Sequence, residues 1–87
     1  MKISYSYCEI FPRLFRDDKY LKAFGDNLKK LRLKRKLSRE TLAVYANIET
    51  MQVYRIEKGI INTTICTAAS LAKGLEIHPK KLFDINF

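Results

Sequence analysis

LSRETLAVYANIETMQVYRIEKG, residues 37–59, holds two short apolar patterns of helical period with one turn signal between them. Ser38 is a strong N-cap type, and Leu42, Ala43 and Ala46 recur behind it on one helical face. Asn47 is one of the few non-glycine residues that tolerate a left-handed backbone, which a sharp turn between helices demands. A second helix then runs from about Thr50 with Val53 and Ile56 inward, and Gly59 stops it.

Working outward, the same periodicity extends in both directions. Asp17 and Asp18 offer a helix start, with acidic groups at the positive end of the dipole. Leu21, Phe24, Leu28 and Leu31 then carry helix one to about Lys36. Gly25 inside it is costly, so the start could instead fall just after it. Downstream, Thr63 or Thr64 can cap helix four, whose inward stripe is Ile65, Ala68, Ala72 and Leu75. Pro79 suits the first turn of a short helix five holding Leu82 and Phe83. The expected fold is therefore all-α, a compact five-helix domain over residues 21–87. Residues 1–20 form an extension in which Ile3, Tyr5 and Tyr7 alternate with Ser4, Ser6 and Cys8, the period of a strand, until Pro12 interrupts it.

Composition bounds the function. At 87 residues there is room for one modest core and no second module. Seventeen Lys and Arg against nine Asp and Glu leave a net charge of +8, which suits a polyanionic partner, although a merely soluble basic protein would show the same balance. The two cysteines, Cys8 and Cys66, have no Cys or His neighbour at ligand spacing, so zinc, a redox pair and a disulfide framework are not expected. Cys66 falls in the helix-four pattern and reads as a small buried residue. The cysteine usage fits a reducing cytoplasm, which is the expected location; separately, no apolar run is long enough to span a bilayer and the N-terminus does not read as a signal peptide. A lone His78, the absence of a glycine-rich phosphate loop and the absence of a nucleophile elbow argue against an enzyme and against any cofactor or metal.

Two short helices joined by a tight turn make a helix-turn-helix, whose second helix is shaped for the major groove. These residues closely resemble the lambda-repressor-like, Cro/C1-type (XRE) family over roughly Phe24 to Phe83. Its leucine-arginine end of helix one is Leu31-Arg32, and its leucine-serine-glutamine-x-x-leucine-alanine block is Leu37-Ser38-Arg39-Glu40-Thr41-Leu42-Ala43. Its isoleucine-glutamate-x-glycine ending is Ile56-Glu57-Lys58-Gly59, and its last block is Leu71-Ala72-Lys73-Gly74-Leu75. The tail LAKGLEIHPKKLF is also similar, more weakly, to controller proteins of restriction–modification systems.

The resemblance implies a sequence-specific, double-stranded-DNA-binding transcriptional regulator, acting as a homodimer on a palindromic operator with a recognition helix over about residues 50–57. It implies a structural ion pair between Arg32 and Glu57. Thr50, Met51 and Arg55 would face base edges and Gln52 the backbone or a base, with Arg55 the best suited to a bidentate fork on guanine. Met51 could equally be buried against helix two. Arg39 stands where the family usually has glutamine, and is expected to clamp a phosphate. Tyr54 would hydrogen-bond a phosphate or cover the core, and Lys58 and Asn62 would meet the backbone. Glu49 departs from the usual serine or threonine cap. It either suits the helix dipole or accepts from a cytosine amine. Lys29 and Lys30 read as a solvated face, whereas Lys34, Arg35 and Lys36 would add attraction to phosphates. A dimer seam could use Leu82, Phe83, Ile85 and Phe87 or the extension paired across a dyad. The rival from another class is a protein-interaction module, such as an antitoxin, that binds a partner through residues 1–20. Binding of single strands or RNA ranks below both, because the aromatics cluster away from the basic helices.

Overall fold

A computed structural model describes residues 16–85, so the strand-like reading of residues 3–11 and any role of Phe87 lie outside the described residues. Four α-helices and a final 3₁₀ turn follow in order: α1 Asp18–Lys34, α2 Arg39–Ala46, α3 Thr50–Glu57, α4 Ile65–Leu75 and the turn Pro79–Phe83. No strand occurs among the described residues, and the class is all-α as expected.

The local start signals act as the residue types dictate. Asp17 caps α1 by accepting from the Tyr20 N–H at 3.1 Å, Ser38 caps α2 through Thr41 N–H at 3.0 Å, and Thr64 caps α4 through Thr67 N–H at 3.1 Å. α1 runs through Gly25 without a break and ends at Lys34, not Lys36, because Lys36 turns left-handed at φ 59° and Leu37 N–H closes back on Arg32 O. Gly25 is needed for close approach. A Cβ there would stand 2.6 Å from Glu57 O and nearer still to Ile56 O, so only glycine lets α1 meet the end of α3.

Leu28, Leu42, Val53, Ile56, Leu71, Leu75 and Leu82 are fully buried and draw every element onto one core. Fully burying each such side chain contributes about 1.5–3 kcal/mol. α2 packs chiefly on α4 and α1 on α3, which leaves α2 and α3 adjacent with one shared outer face. Asn27 is buried within α1, and its amide donates to Lys81 O at 2.8 Å and Leu82 O at 2.9 Å, stitching the final turn to the body.

Three expectations are corrected here. Ile65 does not join the inward stripe, which is Ala68, Leu71, Ala72 and Leu75. It is 88% exposed at the mouth of a shallow apolar hollow edged by Tyr20, Phe24 and Phe83, where the first turn of α4 has run out of packing partners. Cys66, in the same turn, is exposed and not buried. Helix five is a 3₁₀ turn with Pro79 in its first turn. Within it Leu82 is buried, while Phe83 stays half exposed and meets Phe24 in a tilted ring contact with centroids 5.0 Å apart.

Candidate nucleic-acid interface

The turn between α2 and α3 is built as its residues require. Asn47 sits at φ 59°, ψ 44°, in the left-handed region, and its N–H and that of Ile48 return to Val44 O and Ala43 O. Chain direction is thereby reversed within a few residues, and α3 emerges beside the N-terminus of α2. α3 begins differently. Glu49 supplies no side-chain cap, although its backbone carbonyl accepts from Gln52 and Val53 N–H. At the far end Gly59, at φ +74°, lets Gly59 and Ile60 N–H return to Ile56 O and Arg55 O.

Val53, Ile56 and Glu57 turn inward. Glu57 is a carboxylate only 1% exposed, and it is fully met by cations. Arg32 donates to it twice, Nε to Oε2 at 2.6 Å and Nη2 to Oε1 at 3.2 Å, and Arg39 donates Nε to Oε1 at 3.0 Å. Arg32 Nη1 also donates to Leu37 O at 2.8 Å. The Arg32–Glu57–Arg39 cluster therefore ties α1, the α1–α2 turn, the start of α2 and the end of α3 together. A bidentate guanidinium suits this, because a buried charge must be both paired and hydrogen-bonded.

The outward face of α3 carries Met51, Tyr54 and Arg55 exposed, with Thr50 and Gln52 half-buried. Met51 is thus presented to solvent and not packed beneath α2. Arg39, Thr50, Met51 and Tyr54 share the walls of one open hollow with Glu40 and Glu49. Lys58 joins them through Tyr54: its Nζ lies 5.6 Å from the ring centroid, and the Arg39 guanidinium lies 5.3 Å from the same centroid. Asn62 is not brought to this group. It stands in the α3–α4 loop on the wall of the apolar hollow beside Tyr20 and Phe24. Arg35 is engaged elsewhere, with Nη2 2.6 Å from Glu76 Oε1 at the end of α4, while Lys34 and Lys36 are exposed. His78 caps the last turn by accepting from Lys80 N–H at Nδ1, 3.2 Å away.

The arrangement is a solvent-facing helix with hydrogen-bonding, apolar and cationic side chains, gripped from behind by a buried ionic node. Among the described residues no cluster of His, Cys, Asp and Glu is placed to hold a metal, and no helix is long and apolar enough to cross a membrane. Two features escaped the sequence reading. The second arginine on Glu57 was signalled only by Arg39 replacing a family glutamine, and Asn27 only by an amide inside an apolar helical stripe.

The fold and this face define a helix-turn-helix DNA-binding protein, and the helix-turn-helix family model matches residues 28–82. The chain belongs to that family, in its Cro/C1-type form, and is a DNA-binding transcriptional regulator. Among solved structures it is similar to the restriction–modification controller protein C.AhdI from Aeromonas hydrophila, at 36% identity and TM-score 0.72 over 72% of this chain and 96% of that one. It is also similar to the wild-type restriction–modification controller protein C.Esp1396I, at 29% identity and TM-score 0.70 over 75% of this chain and 86% of that one. No curated protein sequence matches it. Nothing in these likenesses supports the antitoxin-like alternative.

Proposed function

We propose that the protein regulates transcription in the cytoplasm by reading duplex DNA with α3 in the major groove, as a homodimer on a palindromic operator. The similarity to controller proteins extends the proposal to genes of a restriction–modification system. One observation carries the reading: α3 is packed on one side only, and its free side offers Met51, Tyr54 and Arg55 outermost, with Thr50 and Gln52 beside them. In the proposed complex Arg55 forks onto guanine O6 and N7, Thr50 and Met51 pack on a thymine methyl, Gln52 meets a base or the backbone, and Lys58 and Tyr54 meet phosphates, while Asn62, set apart in the α3–α4 loop, would meet the backbone only where the duplex extends past the end of α3. No catalytic group or cofactor takes part.

Selection from a random duplex library, repeated with Arg55→Ala at one fixed salt concentration, tests this. The expected motif is palindromic, and Arg55→Ala relaxes it at one symmetric pair of positions, at a cost of about 1–3 kcal/mol per half-site. Enrichment of no motif by a folded protein would overturn the reading.

A further inference from the structure

An arginine at the start of α2 is expected to grip a phosphate, and the geometry assigns it a different task. We propose that Arg39 is a positioning residue: it holds the Tyr54 ring on the DNA-facing surface and so fixes where that tyrosine meets the duplex. This rests on the reading that α3 faces DNA.

Three observations carry it. The Arg39 Nε donates to Glu57 Oε1 at 3.0 Å, and Glu57 is itself buried and held by two bonds from Arg32, so Arg39 is tied to a fixed carboxylate. Its side chain is only 32% exposed. Finally, its guanidinium lies over Tyr54, which Lys58 also approaches from the far end of α3. A guanidinium can do two things at once, giving an edge N–H to a carboxylate while its plane lies on a ring. Lysine, a compact point charge, cannot do both, and neither can glutamine. With its Nε on Glu57 and its guanidinium over the Tyr54 ring, Arg39 makes its contacts within the protein and, in this role, grips no phosphate. Arg39 therefore adds little to the release of counterions from DNA, whereas a true phosphate clamp adds about one unit to the salt slope.

Duplex affinity measured against salt concentration separates the two roles. The proteins compared are wild type, Arg39→Ala, Arg39→Lys, Tyr54→Leu and the Arg39→Ala/Tyr54→Leu double variant. Positioning predicts that Arg39→Ala and Arg39→Lys each weaken binding roughly fivefold with the salt slope held to within about half a unit. It also predicts that Arg39→Ala adds under about 1.5-fold once Tyr54 is gone. A slope lower by about one unit, recovery by Arg39→Lys, or losses that multiply in the double variant would each overturn it. Arg39→Ala leaves both Arg32 bonds on Glu57, and a thermal melt confirms that each variant is folded. The DNA-free protein gives an independent reading, in which Arg39→Ala shifts and broadens the Tyr54 ring NMR signals. Ring signals identical to wild type would overturn the proposal even if no operator is found, whereas loss of specific DNA binding by wild type alone would count against the function and not against this contact.

Discussion

α2 and α3 are each eight residues long, lie side by side and differ in which end is secured. α2 is secured at its beginning, where Ser38 caps it and bonds Thr41, and it finishes on a left-handed Asn47. α3 has no side-chain cap at its beginning and is secured at its end, where Glu57 takes three bonds from two arginines and Gly59 closes the last turn. Local capping secures both ends of the supporting helix, over the packing it makes on α4. Tertiary chemistry holds the reading helix, and this leaves its first turn, Thr50 to Val53, without side-chain capping at the end turned toward the open hollow. A helix gripped from behind and at one end can present its other end to a partner without first breaking contacts of its own.

The sharpest way to break this contrast is Glu57→Gln. Removing the carboxylate strands Arg32 in the interior and releases Arg39, so the variant should lose about 3–5 kcal/mol of unfolding free energy. The melting temperature checks it, and an unchanged value would mean that α3 is held by its apolar contacts alone. Next in size is Gly25→Ala. Its Cβ would press on the carbonyls of Ile56 and Glu57 and push α1 away from the end of α3. About 1–3 kcal/mol should be lost in urea unfolding, although alanine is the better helix former. If the variant is more stable, the close approach there is not required.

The N-termini of α2 and α3 should respond more weakly and in opposite directions. Ser38→Ala should cost about 1 kcal/mol because α2 loses its only side-chain cap, whereas Glu49→Ser should gain up to about 1 kcal/mol by giving α3 the cap it lacks. Opposite signs in paired chemical denaturation curves would confirm that the helices are secured at different ends. Equal signs would remove the contrast.

The legible and illegible parts of the chain divide along a physical line. Ser38, Asn47 and Gly59 are readable, and the α4 cap to within Thr63 or Thr64, because capping and turning are decided within three or four residues and those residue types have few other uses. The Arg32–Glu57 pair was readable through the motif that carries both. Arg39 reads as a phosphate clamp because nothing local shows that Glu57, 18 residues further along the chain, has an acceptor left over after pairing with Arg32. Ile65 and Cys66 were read as buried because periodicity predicts a face and not how far the neighbouring elements extend to cover it.

Sequence alone is enough for the positions of the four α-helices, the caps at Asp17 and Ser38, the turn at Asn47 and the membership of a helix-turn-helix family, since each depends on short-range backbone chemistry and a repeated apolar spacing. Tertiary packing alone settles that Gly25 is a contact and not a break, that Asn27 stitches the last turn, and that Arg39 bonds Glu57 with its guanidinium over Tyr54. Those outcomes depend on which groups distant in sequence arrive within about 3 Å of one another, and a buried carboxylate draws to itself whatever donors the packing brings within reach.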